Sequence, residues 1–316
     1  MAAGSLVRTI WLKTILRGGW RQVEKKVKEV AIVSGKGGTG KTVITAALAS
    51  LIDSKVICDC DVDAANLHLL LKPEVEKSTE FFGGELAKID QDKCSRCMEC
   101  VGVCRSNAIV GDPPEVVDEF CEGCAACLYV CPVDAVEMVE NKSGDLFVSK
   151  TRMGPMVHAK LGIAEDNSGK LVSEVRKEAL AIAEREGLDT IIIDGPPGIG
   201  CPVIASITGV DLLIVVTEPT VSGIHDLKRV LELAARFNLL SLVIVNKFDI
   251  NREITRSIED ESKKLNARVA GEIPYSLEVM DSIRKAKTLM EAGPPEIKEE
   301  IVKIWETVKR ELSNHG

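Results

Sequence analysis

The chain has 316 residues, 45% of them hydrophobic, with 11 cysteines and a formal net charge of -8. That length and apolar share argue against a disordered chain and leave room for a large core plus a small second unit. Aromatic residues at 3% and the negative balance argue against stacking platforms or cationic grooves, so no nucleic acid is expected as a partner.

In chain order, residues 1–27 stand apart as a basic N-terminal extension. Residues 5–22 hold Arg8, Lys13, Arg17 and Arg21 and no acidic residue. Lys13, Arg17 and Arg21 form one helical stripe, while Val7, Trp11 and Ile15 form another. Such a helix suits an anionic membrane surface, a packing face on its own domain, or a translated leader outside the working protein. No run of 18 apolar residues occurs and no secretory signal is visible. Many thiols without secretion point to a reducing cytoplasm.

From residue 28 strand and helix alternate. Val- and Ile-rich runs at 30–33, 55–58, 190–193, 212–216 and 241–245 are apolar on both faces, as strands of a parallel sheet are. Helix-length segments lie at 41–51, 171–186, 227–237 and 252–265. This order predicts an α/β fold with a doubly wound, mostly parallel sheet. A last helix over 295–312 puts Ile297, Ile301, Ile304, Trp305, Val308 and Leu312 on one docking face. The stretch 88–145 breaks the alternation and carries an internal duplication, so it is expected as an inserted module. It divides the main domain into 28–87 and 146–316. Gly83-Gly84 precede it, and Asn141-Lys142-Ser143-Gly144 read as a turn at its end.

Gly35-Lys36-Gly37-Gly38-Thr39-Gly40-Lys41-Thr42 follows a buried strand and opens a helix, which is the setting of a phosphate-binding P-loop. Glycines let the backbone N–H groups face phosphates, Lys41 reaches the β and γ phosphates, and the Thr42 hydroxyl suits Mg²⁺. With the second lysine Lys36, the stretch Asp59-Cys60-Asp61-Val62-Asp63 after the second strand and Asp194-Gly195-Pro196-Pro197-Gly198 after an Ile run, the chain resembles the MinD/ParA branch of P-loop ATPases. That resemblance implies a deviant Walker A fold binding ATP and Mg²⁺, and a homodimer in which Lys36 reaches the partner's nucleotide. It also implies that Asp61 orients the attacking water and that Asp194 holds Mg²⁺ through water. Asn246 is the candidate reader of adenine, with Pro274 beside it. Asn246-Lys247-Phe248-Asp249 also matches a guanine-reading pattern, which the loop lysine and the two switches weigh against. Asp59 reads as a structural carboxylate.

Cys94, Cys97, Cys100 and Cys104 are spaced C-x2-C-x2-C-x3-C, and Cys121, Cys124, Cys127 and Cys131 repeat the spacing before Pro132. This run is similar to bacterial ferredoxins with two [4Fe–4S] clusters, in which each fourth cysteine serves the other cluster. The resemblance implies one cluster on Cys94, Cys97, Cys100 and Cys131, and a second on Cys104, Cys121, Cys124 and Cys127. Arg105 departs from the proline of that pattern. Structural zinc on four thiolates is the competing reading. Cys58, Cys60 and Cys201 lie outside the run and read as small core residues, although Cys201, just past the second switch, also resembles the cysteines with which the nitrogenase iron-protein branch bridges a cluster across its dimer.

The insert sits between the two switches, so nucleotide state and clusters are expected to be coupled. The chain then reads as an iron–sulfur ATPase in which ATP binding and hydrolysis govern electron transfer to an unidentified redox partner. Carriage or maturation of clusters for an accepting protein, and MinD-like positioning with the clusters as a redox sensor, are the alternatives.

Overall fold

A computed structural model describes residues 27–162 and 168–314. The basic stripe expected over 5–22 lies outside the described residues. Eleven strands occur among those described: β1 (Lys28–Ser34), β2 (Lys55–Asp59), β3 (Glu74–Ile89), β4 (Ile109–Val110), β5 (Glu115–Val116), β6 (Val136–Thr151), β7 (Gly154–Leu161), β8 (Thr190–Pro197), β9 (Leu212–Thr217), β10 (Ser241–Asn246) and β11 (Arg268–Ile273). Nine form one sheet in the order β11-β10-β9-β1-β8-β2-β7-β6-β3. Pairing is parallel from β11 to β7 and antiparallel for β7–β6 and β6–β3.

The central strands are buried on both faces because helices cover both. Val30 and Ile32 of β1 pack with Ile44 and Leu48 of helix Lys41–Ala49 and with Ile297, Ile301 and Trp305 of helix Pro295–Asn314. Ala31 and Val33 face the other way, toward Leu171 and Val175 of helix Ser168–Glu186 and Leu227 of helix Val221–Arg236. Each such buried aliphatic side chain contributes about 1.5–3 kcal/mol, which fixes register as well as stability. The docking face expected on the last helix is buried at Ile297, Ile301, Ile304, Trp305 and Val308.

The sheet extends further than its sequence signal. β3 and β6 are 16 residues each and pair from Glu74↔Lys150 to Ile89↔Val136. At about 3.3 Å per residue they form a ribbon of about 50 Å. Residues 144–151 of β6 also pair with β7, so half of the ribbon belongs to the main sheet. The other half leaves it as a two-stranded arm carrying the cysteine-rich lobe. The turn expected at Asn141-Lys142-Ser143-Gly144 is strand instead. Register shifts at Phe81, Phe82 and Gly84 accommodate its polar composition, and buried Ser143 accepts a hydrogen bond from the Gly83 N–H at 3.2 Å. Gly144 is there for close approach: a Cβ would sit 2.6 Å from the Lys160 carbonyl oxygen. The borders expected at 87/88 and 145/146 thus fall inside β3 and β6.

Candidate functional site

The loop between β1 and helix Lys41–Ala49 lies at the carboxyl ends of the strands, where open α/β sheets bind ligands. Gly40 is left-handed at φ 91°, and a Cβ there would come within 2.4 Å of Asn246 Nδ2. That amide donates to the Thr39 carbonyl at 2.7 Å, while its Oδ1 accepts from the Lys247 N–H at 3.0 Å. Asn246 therefore braces the loop from the end of β10, and reading a base requires it to exchange one of these bonds. Its register partner Ile273 on β11 puts Pro274 alongside.

Lys41 sits inside a ring of carboxylates. Its ammonium lies 2.9 Å from Asp194 Oδ1 and 3.5 Å from Asp61 Oδ2. Asp194 also accepts from Thr42 Oγ1 at 2.8 Å and Thr45 Oγ1 at 2.9 Å. Burial works to lower the Lys41 pKa, but Asp194, Asp61 and Asp59 raise it overall, so the ammonium stays charged. Asp59 is wholly buried at the end of β2. One of its oxygens accepts from the Asp61 N–H at 3.2 Å, and Oδ2 has no hydrogen-bond partner. Burial and then the Asp194 charge push the Asp59 carboxyl up to about 8. Burial also raises Asp61, against the pull of Lys41. Three carboxylates and a hydroxyl around one lysine suit a divalent cation bound partly through water and phosphate, as Mg²⁺ prefers. Among the described residues no three His, Cys, Asp or Glu side chains converge on a single metal ion.

Lys36 is held within its own chain. Its ammonium lies 2.8 Å from Glu218 Oε1, 3.0 Å from Ser222 Oγ and 3.3 Å from Thr220 Oγ1. Lys247 takes the other Glu218 oxygen at 3.0 Å. Burial works upward on the Glu218 carboxyl, but the two lysines bonded to it carry the net shift below the usual range.

The cysteine lobe is built twice. Helices Glu99–Val103 and Ala126–Val130 occupy equivalent places 27 residues apart. Arg96 and Gly123, Met98 and Ala125, and Asn107 and Asp134 share positive φ angles in equivalent pairs. Ala108 N–H donates to Cys104 Sγ at 3.2 Å, and Ala135 N–H to Cys131 Sγ at 3.2 Å. Burial raises Cys100 and Cys127. It also works upward on Cys104 and Cys131. There the Ser106 hydroxyl and surrounding N–H groups win at Cys104, N–H groups alone win at Cys131, and both thiols end lowered. Cys94, Cys97, Cys100 and Cys131 line one small pocket, together with apolar Ile89, Val133 and Val136. Three of these cysteines come from the first repeat and one from the second.

Residues 30–289 match the family described as the CobQ/CobB/MinD/ParA nucleotide binding domain. The chain belongs to that family. Membership makes it a nucleotide-binding ATPase of the MinD/ParA kind. An uncharacterized protein of Methanocaldococcus jannaschii is 33% identical over 286 residues, 90% of this chain and 97% of that one. The fold is similar to that of MinD in the MinC:MinD cell division complex of Aquifex aeolicus (TM-score 0.53, 21% identity, 90% and 96% of the two chains). It is equally similar to the septum site-determining protein MinD of Pyrococcus horikoshii complexed with Mg-ADP (TM-score 0.53, 18% identity, 92% and 99%). No helix among the described residues is long and apolar enough to cross a membrane.

Within this ATPase, Lys41, Thr42, Asp61 and Asp194 meet at one place, Lys36 lies apart on Glu218, and Asn246 backs the loop. Sequence reasoning missed Thr45, Glu218 and the involvement of Asp59. Thr45 lies one helical turn past Lys41, and Glu218 follows the end of β9, so spacing and strand ends held the signal. Cys58 and Cys60, 3.5 Å apart and fully buried, are core residues, whereas Cys201 is exposed.

Proposed function

We propose that this ATPase carries two [4Fe–4S] clusters and that Mg–ATP binding, with dimerisation, governs electron transfer through them. The observation that carries the reading is the shared pocket of Cys94, Cys97, Cys100 and Cys131, the interleaved set a two-cluster protein needs. By the duplication, Cys104, Cys121, Cys124 and Cys127 form the second set. Two tandem quartets of matching spacing fit clusters better than zinc, whose four thiolates come as two separated pairs. Left-handed residues recur at equivalent places in the two repeats, so both cysteine loops follow the same path. N–H groups donate to Cys104 and Cys131, favouring their thiolates. The clusters supply one-electron chemistry when bound.

On the nucleotide side, Lys41 exchanges Asp194 and Asp61 for the β and γ phosphates. Thr42 and the released Asp194 then serve Mg²⁺, and Asp61 orients water for in-line attack. Lys36 leaves Glu218 to reach the nucleotide of a second copy. Binding of Mg-ADP by the Pyrococcus MinD and of MinC by the Aquifex MinD supports a nucleotide switch with a protein client. Here the client is a redox protein. Cluster carriage is the second reading, favoured by the exposure of Cys97 and Cys124.

The test is anaerobic reconstitution followed by EPR of the reduced protein with and without Mg–ATP. About eight irons and eight sulfides per chain are expected, with a spectrum or reduction rate that responds to ATP. Bound zinc in place of iron, or clusters indifferent to nucleotide, would defeat the proposal. Transfer of iron and sulfide to an apo-ferredoxin would favour carriage.

A further inference from the structure

β6 and β7 are joined by the two-residue turn Arg152-Met153. The Arg152 guanidinium is used on every side. Nη1 donates to the Leu71 carbonyl at 3.0 Å and Nη2 to the Leu70 carbonyl at 2.9 Å, at the end of helix Leu67–Leu71. Nε and Nη2 form a fork with Glu291 Oε1 and Oε2, both at 2.8 Å, and Nη2 also reaches the Ala286 carbonyl at 3.2 Å. The hydrogen bonds from Arg152 hold the Glu291 carboxyl down at about 2. Glu291 in turn caps Thr288, whose hydroxyl meets Ser50 Oγ at 3.0 Å at the end of the P-loop helix.

Helix Leu67–Leu71 directly follows the 59–66 segment that contains Asp61. β3 leaves this helix through Lys72-Pro73, so the first strand of the arm is tied to it covalently. The second strand ends at Thr151, and its link to the same helix is Arg152. At the far end, Asp90 N–H donates to the Ala135 carbonyl at 2.8 Å, Cys94 N–H to the Asp90 carbonyl at 3.0 Å, and Ala135 N–H to Cys131 Sγ. The arm thus begins on the Asp61 segment and ends on cysteines of both repeats.

We propose that Arg152 is the clasp that makes both strands of the cluster arm follow the Asp61 segment when nucleotide changes. It is a positioning residue, and the idea rests on the coupling proposed above. Without the clasp, a displacement of helix Leu67–Leu71 reaches β6 only through the β3–β6 ladder, whose register breaks at Val75–Lys77 and Phe81–Gly84 leave play between the strands. Lysine cannot replace it, because one ammonium cannot span two carbonyls and both oxygens of a carboxylate.

Hydrogen exchange of the arm (82–89 and 136–143) reads this directly in the full chain, with Mg–ADP against Mg–AMPPNP, whether or not clusters are loaded. The native protein is expected to show a nucleotide-dependent difference there. Arg152→Ala should lose it while ATP hydrolysis stays within about twofold. Arg152→Lys, which keeps a cation beside Glu291, should restore thermal stability but not the difference, and it carries the test should the alanine variant fail to fold. An arm that responds equally in Arg152→Ala, or complete rescue by lysine, overturns the clasp alone. An arm indifferent to nucleotide in the native protein overturns the coupling and the clasp with it.

Discussion

Replacing Asp59 with asparagine removes one buried carboxyl and keeps nearly everything else in place. In the folded nucleotide-free protein that carboxyl titrates at about 8, against 3.8 unperturbed. Between those values the folded state holds a proton that the unfolded state has lost, so stability falls as pH rises. At about 1.4 kcal/mol per unit, Asp59 costs the protein roughly 4 kcal/mol at pH 7 relative to a neutral isostere. Asparagine keeps the oxygen that accepts from the Asp61 N–H, but its buried amide donors gain no acceptor, which gives back about 1–3 kcal/mol. The variant should therefore be more stable than the native protein by about 1–3 kcal/mol at pH 7, with the gain shrinking by about 1.4 kcal/mol per unit toward pH 5. Urea unfolding at pH 5–8.5 in chelator measures it. A stability difference that does not change with pH would refute the reasoning.

Cys131→Ser should reduce iron from about eight to about four per chain and remove the first-repeat cluster, although Cys131 lies in the second repeat; loss of the second-repeat signal instead would reject the interleaved assignment, read by EPR. Glu218→Gln frees Lys36 and Lys247 and should strengthen Mg–ATP-dependent dimerisation in light scattering; an unchanged dimer affinity would deny Glu218 a restraining role. His158, held by Ser149 and stacked on Phe147, is pushed by burial and then by His68 down to about 4. The unfolded histidine takes its proton first, so this contribution is present above pH 6.5 and lost as pH falls toward 4. An NMR titration midpoint near 6.5 would contradict it.

The nucleotide half of the site was legible because its signals are local. A glycine-rich loop after a both-faces-buried strand leaves few alternatives, and carboxylates at strand ends announce where β2 and β8 finish. The arm was not legible. Its strands mix exposed, half-buried and buried positions without regular alternation, and residues 74–80 of β3, which lead into it, are all on the surface. Asn141-Lys142-Ser143-Gly144 has turn composition, and only pairing with Phe82 and Gly84 across a bulge makes it strand. The self-contained hold on Lys36 was equally hidden, since Glu218 lies 182 residues away and no spacing rule joins the two.

The duplication offers an internal control on what the cysteine lobe is for. Arg96 and Gly123, Met98 and Ala125, and Asn107 and Asp134 share no side-chain chemistry pair by pair except the last, yet each pair is left-handed. A non-glycine residue in that conformation costs about 1–2 kcal/mol. Both members accept that cost in two of the three pairs, and in the first pair Arg96 alone does, so what both halves preserve is the path of the backbone. N–H groups gathered around cysteine sulfurs stabilise a diffuse negative charge, which a cubane with four thiolates carries in either oxidation state. Gly123 sharpens the point. A Cβ there would sit 2.4 Å from the Glu85 carbonyl oxygen on β3, so the second repeat is built directly against the arm that leads back to the nucleotide.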